Sequence, residues 1–265
     1  MKLLVKLGGT LLDVDATREG LARQIAAISR AAPVVVVHGG GRQMTRYLAE
    51  RGIESRFVNG LRVTTPEVLD AVVKVVAGSV NRQLVATINQ ALNQAGARAV
   101  GISGIDGGLA EAQQMDPALG SVGRVTRADP ALLHILLSGG FLPVVACVAG
   151  DREGRLFNVN ADQMAVACAV AFGADQLIFL TDVAGVLDAG KRLMPRLTMA
   201  RGESLIAEGV ATGGMLAKLT AAHSALRQGV PQVRICAGAA ECVLERILAG
   251  EDVGTRMALE EVFAG

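Results

Sequence analysis

Short apolar runs alternate along the chain with longer stretches in which apolar residues recur every three or four positions. The short runs are rich in Val, Leu and Ile at consecutive positions, which is typical of parallel strands buried on both faces. They predict strands at Leu3 to Leu7, Val34 to Val37, Arg98 to Ile102, Leu142 to Cys147, Gln176 to Leu180 and Gln232 to Cys236.

The longer stretches have the periodicity of helices packed on one side. They cover Ala16 to Arg30, Gln43 to Arg51, Pro66 to Ala77, Asn81 to Gln94, Pro130 to Leu137, Ala161 to Phe172, Gly214 to Gln228 and Ala240 to Leu248. Because strands and helices alternate, we expect an α/β fold with a largely parallel sheet and helices on both faces. Two segments depart from the alternation. Leu109 to Arg127 predicts short strands joined by turns, and Gly150 to Leu156 predicts the charged tip of a hairpin.

Composition limits the classes of protein that fit. The 265 residues are 51% hydrophobic and 19% charged, which suits one large α/β unit or two lobes that share a sheet. The formal net charge is +1, without basic runs interleaved with aromatics, so nucleic acid is an unexpected partner. No signal-peptide or membrane-spanning pattern is evident, and we expect a cytoplasmic protein without a membrane partner. No CxxC pair occurs, which favours buried, reduced thiols at Cys147, Cys168, Cys236 and Cys242.

Glycine-rich turns follow the first two predicted strands, at the sheet edge where open α/β folds bind ligands. Residues 6–9 (KLGG) bring an ammonium group and backbone N–H donors to one place, as a phosphate site requires. Residues 38–41 (HGGG) precede a predicted helix, whose free N–H groups can hold a phosphate or a carboxylate. We interpret His38 as a hydrogen-bonded loop residue rather than a catalyst.

Two later motifs carry polar groups suited to a small acidic substrate. In residues 59–64 (NGLRVT), Arg62 precedes a predicted helix and can hold a carboxylate through two parallel N–H bonds. In residues 158–162 (NVNAD), Asn160 or Asp162 can cap the following helix. The functional alternative is that Asn158 contacts a ligand and that Asp162 pairs with lysines.

Two further motifs suit a nucleotide. Residues 181–186 (TDVAGV) follow a predicted strand, and residues 212–218 (TGGMLAK) enter a helix in which Lys218 can lean back toward a phosphate. Residues 185–191 (GVLDAGK) match the first seven positions of a Walker A motif, but Arg192 stands where Ser or Thr holds magnesium. We interpret that match as a coincidental loop. No GxGxxG motif opens the first helix, which disfavours a nicotinamide enzyme.

In this order, the six motifs KLGG, HGGG, NGLRVT, NVNAD, TDVAGV and TGGMLAK resemble the amino acid kinase family. The likeness is closest to the branch that phosphorylates the γ-carboxylate of N-acetyl-L-glutamate with ATP, and residues 254–256 (GTR) extend it. The resemblance implies an open three-layer αβα sandwich and a single domain over residues 1–265. Its lobes would be 1–173, for acetylglutamate binding and dimerisation, and 174–265, for ATP binding. It also implies the second step of arginine biosynthesis, Mg²⁺ bound through ATP, and a homodimer.

The resemblance assigns roles to individual residues. Lys6 and Lys218 would stabilise the transition state, and Asp162 would orient both lysines. The substrate contacts would be Gly40, Gly41, Arg62 and Asn158. The nucleotide contacts would be Gly8, Gly9, Asp182, Val183, Ala184, Gly185, Val186, Leu187, Val210, Ala211 and Thr212. Ile105 stands where many relatives carry lysine, so we expect no nucleotide contact there.

The residue types agree with this chemistry. A γ-carboxylate is already ionised at neutral pH and needs no general base, so positioning and cation placement should provide most of the catalysis. The alternatives are a kinase for an aminoadipate or glutamate group on a carrier protein, a kinase for carbamate, glutamate or UMP, and a non-catalytic amino-acid sensor. HGGG and NGLRVT favour a free α-carboxylate. Arginine-inhibited relatives carry an additional N-terminal helix, whereas here the strand begins at residue 2, so we expect an arginine-insensitive homodimer.

Overall fold

Strands and helices alternate along most of the chain in a computed structural model that describes residues 1–93 and 98–259. The strands are β1 (Leu3–Leu7), β2 (Val34–His38), β3 (Phe57–Val58), β4 (Leu61–Arg62), β5 (Arg98–Ser103), β6 (Ala110–Gln114), β7 (Val122–Ala128), β8 (Phe141–Ala146), β9 (Val148–Gly150), β10 (Leu156–Val159), β11 (Gln176–Thr181), β12 (Arg196–Thr198), β13 (Gln232–Ala237) and β14 (Thr255–Ala258). The α-helices are α1 (Asp15–Ile28), α2 (Gly41–Ala49), α3 (Pro66–Val72), α4 (Asn81–Leu92), α5 (Ala131–Ser138), α6 (Ala161–Phe172), α7 (Met199–Ala207), α8 (Gly213–Arg227) and α9 (Val243–Leu248).

Eight of these strands form the central sheet, in the order β12-β14-β13-β11-β1-β2-β8-β5. Neighbours from β13 to β5 run parallel, and β14 runs antiparallel to β13. Helices α6 and α8 pack on each other and on β1, β11 and β13, whereas α1 packs with α4 and α9. The expected α/β fold with a mainly parallel sheet is confirmed, and all six predicted strands belong to the sheet.

The central strands bring polar side chains to one edge of the sheet. All five residues of β1 and of β2 are buried, and four in each strand are apolar. The exceptions are Lys6, next to the carboxyl end of β1, and His38, the last residue of β2. Since β1 lies between β2 and β11, it occupies the point where chain connections diverge to opposite sides, which is where open α/β sheets bind ligands.

Residues 66–92 form one continuous helix where the sequence predicted two. A π-helical segment, Val73–Val80, joins α3 to α4, so the break expected between Ala77 and Asn81 is absent. An isolated glycine is tolerated inside a helix, and Ser79 bonds back to the carbonyl of Val75 at 3.2 Å. Among the described residues, Pro66–Leu92 is the one helix long and apolar enough to span a membrane by composition. It nevertheless places one face in the protein core and packs on β5. The predicted end at Gln94 lies outside the described residues.

The two segments that depart from the alternation build a small closed four-stranded unit from β6, β7, β9 and β10. β6 pairs antiparallel with β7, and β9 forms an antiparallel hairpin with β10. The predicted short strands and the charged hairpin tip are both confirmed. Because β10 leads directly into α6, this unit sets the position of residues 158–162 relative to the sheet.

The cysteines follow the sequence expectation at three positions of four. Cys147, Cys168 and Cys236 are buried free thiols, whereas Cys242 is free but exposed. Cys242 precedes the short helix α9 in a left-handed conformation, with φ of 50°, and it is exposed although Val243 and Leu244 after it are buried. The prediction of burial was wrong there because a single cysteine in a short apolar segment does not show which way its side chain faces.

Candidate functional site

Two lysines and one aspartate meet at the carboxyl edge of the sheet. Nζ of Lys6 lies 2.7 Å from Oδ1 of Asp162, and Nζ of Lys218 lies 3.7 Å from Oδ2 of the same carboxylate. The side chains of Lys6 and Asp162 are 7% and 8% exposed, and that of Lys218 is 14% exposed. We call these three residues the lysine–aspartate cluster. It brings together residues far apart in sequence, as their motifs predicted.

Local structure explains why Asp162 is available to the lysines. Asn160 caps α6, since its Oδ1 accepts hydrogen bonds from the backbone N–H groups of Asp162 at 2.8 Å and Gln163 at 3.3 Å. Asp162 therefore does not serve as the cap. Lys218 lies in the second turn of α8 and leans toward the helix start, 3.4 Å from the carbonyl of Gly214.

Burial and charge oppose each other within the cluster. Burial raises the pKa of Asp162, but the charges and hydrogen bonds of Lys6 and Lys218 together hold that pKa below its ordinary value. Burial lowers the pKa of Lys218, although Asp162 favours its charged form. With two cations around one anion, the cluster keeps a net positive charge that suits a phosphoryl group.

The two glycine-rich turns after β1 and β2 touch each other through their backbones. A Cβ on Gly9 would lie 3.0 Å from the backbone nitrogen of Gly41, and a Cβ on Gly40 would lie 3.1 Å from Cγ2 of Val76. Only glycine fits this close approach without displacing its neighbours. Helix α2 begins at Gly41, so its unpaired N–H groups face the same region as Lys6.

Arg62 is held over the start of α2 by a tight hairpin. The turn between β3 and β4 is Asn59-Gly60, with φ of 49° and 78°, as expected of an Asn-Gly hairpin. The guanidinium group donates to Oγ1 of Thr45 at 2.8 Å, to the carbonyl of Gly41 at 3.2 Å and to Oγ of Ser55. Burial lowers the pKa of Arg62, which still remains a cation.

Asn158 approaches the same space from β10. Its Nδ2 donates to Oγ1 of Thr64 at 3.0 Å, and Thr64 in turn donates to the carbonyl of Arg62 at 2.9 Å. The side chain is therefore tied to the segment that carries Arg62. This contact joins residues 94 positions apart, so no local pattern in the sequence revealed it.

A cavity of about 230 Å³ connects these groups. It is lined by all four predicted substrate residues, and also by Lys6, Gly9 and Asn160. Sequence reasoning missed its apolar wall, which includes Met44, Val72, Val76, Val122 and Cys147. The helix positions among them have the same periodicity as core residues, so no signal in the sequence separated them from the core. Burial raises the pKa of the Cys147 thiol to about 11, which keeps it neutral.

Most of the predicted nucleotide residues lie outside the cavity, in segments after β11 and before α8, and β11 and β2 flank β1 on its two sides. Asp182, Val183, Ala184, Leu187 and Thr212 are exposed, Val210 is half-buried, and Gly185, Val186 and Ala211 are buried. They follow β11 and precede α8, and they do not line the cavity. Gly8 is buried, whereas Gly9 lines the cavity that contains Arg62.

Thr255 anchors the segment that follows β11. Its Oγ1 accepts a hydrogen bond from the N–H of Val186 at 2.8 Å and donates one to the carbonyl of Met194 at 2.7 Å. The Walker-like match lies between these anchors as a turn in which Asp188 accepts from the N–H of Arg192. Its interpretation as a loop is confirmed.

The fold and the order of motifs correspond to a known class of enzyme. The model of the Amino acid kinase family matches residues 1–237, and the chain belongs to that family. An acetylglutamate kinase of Solibacter usitatus (strain Ellin6076) is 67% identical over 258 residues, covering 97% of this chain and 99% of that protein. The acetylglutamate kinase of Geobacillus kaustophilus (strain HTA426) is 45% identical over 237 residues, covering 89% of this chain and 90% of that protein. The solved structure of smu.665 from Streptococcus mutans UA159 has a TM-score of 0.82 at 26% identity, with 97% of this chain and 98% of that chain covered.

Proposed function

We propose that this protein is an acetylglutamate kinase that transfers the γ-phosphoryl group of ATP to the γ-carboxylate of N-acetyl-L-glutamate, the second step of arginine biosynthesis. The observation that carries the proposal is the lysine–aspartate cluster, whose Lys6 lines a cavity together with Arg62 and Asn158. The names of the relatives at 67% and 45% identity support the acceptor.

The cavity suits a small dicarboxylate with an acyl group. Arg62 would hold the α-carboxylate, because a guanidinium group offers two parallel N–H donors. Asn158 and the backbone N–H groups at Gly40 and Gly41 would fix the polar atoms near it. Val72 and Val76 provide an apolar surface for the acyl methyl group. These contacts would leave the γ-carboxylate directed toward Lys6.

The reaction needs charge neutralisation rather than proton transfer. A γ-carboxylate oxygen forms a bond to the γ-phosphorus while the bond from that phosphorus to the bridging β–γ oxygen breaks, and ADP leaves. The products are an acyl phosphate and ADP, and no proton has to move. Lys6 and Lys218 would neutralise charge on the transferring phosphoryl group and on the leaving oxygen. Asp162 would hold both ammonium groups in place without touching the substrate.

ATP would bind along residues 182–187 and 210–212, with Gly8 and Gly9 near its phosphates. Mg²⁺ would enter with the nucleotide, since phosphate oxygens and water are ligands it prefers. Within residues 1–93 and 98–259, no group of three His, Cys, Asp or Glu side chains is arranged to hold a metal ion. When bound through ATP, Mg²⁺ would neutralise charge on the β- and γ-phosphate oxygens.

The lobes, the assembly and the location are parts of the same proposal. Residues 1–173 would bind the acceptor and residues 174–265 would bind ATP, in a cytoplasmic homodimer. Strand β5 is the outermost strand of the sheet on the acceptor side, and Ile135 on α5 is 67% exposed. A second subunit that covers these groups would remove an open sheet edge and an apolar contact from water. Light scattering should give the mass of a dimer, and a monomer at micromolar concentration would contradict it.

A direct assay tests the reaction. ADP release is coupled to NADH oxidation with N-acetylglutamate, glutamate, aminoadipate or carbamate as acceptor, and hydroxylamine traps acyl phosphate as a hydroxamate. We expect rapid turnover and hydroxamate with N-acetylglutamate only. Faster turnover with aminoadipate or glutamate would show that this compound, and not N-acetylglutamate, is the acceptor. A purified, folded protein without ATP-dependent hydroxamate from any acceptor would instead favour a sensor.

A further inference from the structure

Behind the glycine-rich turn that follows β2 lies a buried polar pair that the proposed reaction does not use. His38 is 0% exposed and Asn81 is 1% exposed. Nδ1 of His38 lies 2.9 Å from the carbonyl oxygen of Gly39, and Nε2 lies 2.9 Å from Nδ2 of Asn81. Asn81 also donates to the carbonyl of Val144, on β8, at 3.0 Å.

These contacts determine where the imidazole proton lies. The carbonyl of Gly39 can only accept, so Nδ1 must carry the proton and donate it. Nε2 is then an acceptor and needs a donor, which the amide group of Asn81 provides. If Asn81 were turned to present its oxygen, Nε2 would have to carry the proton and Nδ1 would face the Gly39 carbonyl as a second acceptor. We therefore assign the Nδ1–H tautomer from the hydrogen-bonding network.

This arrangement of Asn81 has an unfavourable contribution to the folding free energy. Oδ1 of Asn81 is buried without a hydrogen-bond partner. It lies against Gly101, where a Cβ would come within 2.0 Å of it. A buried polar atom without a partner is unfavourable. Both N–H groups of Asn81 are nevertheless used, one by His38 and one by Val144, which indicates that the donor role matters.

The carbonyl of Gly39 opens the turn that lines the acceptor cavity. The turn is pressed between Gly9 and Val76, and a Cβ on Gly39 would lie 3.3 Å from Cβ of Ala161. The pKa of His38 is lowered to about 4, mainly by burial and in smaller part by the charge of Lys6. The ring is therefore neutral at pH 7 and can keep the single-proton pattern that both contacts require.

We propose that His38 and Asn81 are positioning residues for the acceptor site: Asn81 selects the Nδ1–H tautomer of His38, and that proton fixes the Gly39 carbonyl and so the turn of Gly40 and Gly41. This inference rests on the proposed function for its kinetic consequence. The chain of hydrogen bonds from Asn81 through His38 to the Gly39 carbonyl, which we call the relay, rests on the geometry alone. Two measurements therefore separate a failure of the relay from a failure of the proposed function.

The first measurement needs no activity and no mutation in the relay. The protein contains three histidines, so selective ¹⁵N labelling of the rings gives three pairs of imidazole nitrogen signals. The variants His134→Gln and His223→Gln assign them. We expect His38 to remain neutral at pH 7 with its proton on Nδ1, whereas free neutral histidine favours the proton on Nε2. A proton on Nε2 of His38 would overturn the relay, whatever the enzyme's substrate is.

The second measurement compares two asparagines of α4. Asn81→Leu removes the donor to His38 and keeps the branched shape and the number of heavy atoms of the side chain. The matched control is Asn89→Leu, because Asn89 also ties α4 to the sheet, through the N–H and carbonyl of Ala99 on β5, but does not touch the turn. Asn81→Ala, with a smaller side chain, is the second variant if Asn81→Leu fails to fold.

For Asn81→Leu we expect the amide signals of residues 39–41 to shift and the KM for N-acetylglutamate to rise about tenfold, since misplacing a binding group weakens acceptor binding. The KM for ATP should change less, because residues 182–187 and 210–212 do not line the cavity and only Gly9 among the proposed nucleotide residues lies against the turn. Asn89→Leu should lower thermal stability without either effect. Equal changes in the KM for N-acetylglutamate and the KM for ATP would show that His38 and Asn81 have only a structural role. Equal effects of Asn81→Leu and Asn89→Leu would show the same. If wild-type enzyme phosphorylates another acceptor while the amide shifts remain specific to Asn81, the relay stands and the proposed substrate fails.

Discussion

The two sides of the lysine–aspartate cluster are built differently. On the acceptor side, Arg62 and Asn158 are tied by hydrogen bonds to α2 and to Thr64, and a Cβ on Gly9 or Gly40 would be crowded by its neighbours. On the nucleotide side, most of residues 182–187 are exposed and the segment is anchored mainly through Thr255. Under the proposed function, the cavity is a preformed acceptor site and the exposed segment is a nucleotide surface that ATP itself would complete. The acceptor cavity should therefore lose less conformational freedom when its ligand binds than the nucleotide surface does.

The largest effect should come from removing a lysine of the cluster. Lys6→Ala and Lys218→Ala should each lower kcat by roughly a hundredfold or more, the scale seen when a preorganised charge stabiliser is lost. Steady-state assays measure this, with the exposed Lys74→Ala as a control of unchanged kcat.

The same two variants should also differ in their free energy of unfolding. Lys6→Ala leaves Asp162 buried without its closest partner and should cost about 3–5 kcal/mol in urea unfolding. Lys218→Ala should cost less, because its ion pair is longer, at 3.7 Å, and Lys6 remains. Near-normal turnover by folded Lys218→Ala would remove it from the reaction.

Acid should lower the free energy of unfolding through His38, which lies behind the glycine turn of the acceptor side. Its folded-state pKa of about 4 lies below the ordinary 6.5, so the unfolded chain binds the proton more readily. The contribution of neutral His38 to stability is complete above pH 6.5 and is lost as the pH falls toward 4. Well below pH 4, where His38 is protonated in both states, it changes no further. Between pH 7 and 5 this loss is about 2 kcal/mol.

Urea unfolding at both pH values tests this contribution. His38→Gln should be less stable overall but should show a pH slope flatter by that amount. His134→Gln, which removes an exposed imidazole, is the control for the loss of a histidine. The pKa of His223 is also lowered by burial, so a smaller slope of the same sign should remain in His38→Gln. An unchanged slope would contradict the buried neutral imidazole.

Arg62→Lys should weaken the acceptor side alone. A point charge replaces a planar group that donates to Thr45, Gly41 and Ser55, so the KM for N-acetylglutamate should rise about tenfold while that for ATP stays constant. Arg56→Lys, in the exposed part of the same segment, is the control. A rise in the KM for ATP of the same size would remove Arg62 from the carboxylate site.

The smallest effect is expected from Thr255→Val on the nucleotide side. The change keeps the shape of the side chain but removes the two hydrogen bonds that hold Val186 and Met194. The KM for ATP should rise about fivefold, as for the loss of about 1 kcal/mol, without a change in acceptor KM. Thr220→Val, exposed on α8, should change neither value. If Thr255→Val instead affects the acceptor KM, the two sides are not independent.

The sequence by itself determined the alternating fold, the parallel strands and most of the polar residues that meet at the sheet edge. Consecutive apolar residues in β1 and β2 require burial on both faces, and glycine turns after them open the sheet edge to ligands. Because these signals are local in the chain, Lys6, Arg62, Asp162 and Lys218 could be named before their distances were known. Whether residues 66–92 form one helix or two was not settled by the local pattern, since Gly78 can interrupt a helix or be tolerated within it.

Only the tertiary structure decided which groups meet and which are enclosed. The contact of Asn158 with Thr64, the anchoring of Val186 by Thr255 and the bond from Asn81 to His38 each join segments distant in sequence. The same holds for Val76, which lines the cavity although its apolar pattern matches core residues. Periodicity shows that a side chain faces inward, but the packing of other elements determines whether it meets the core or a ligand. For that reason the two lysines of the cluster were named from the sequence, whereas the cavity wall and the residues that hold it were not.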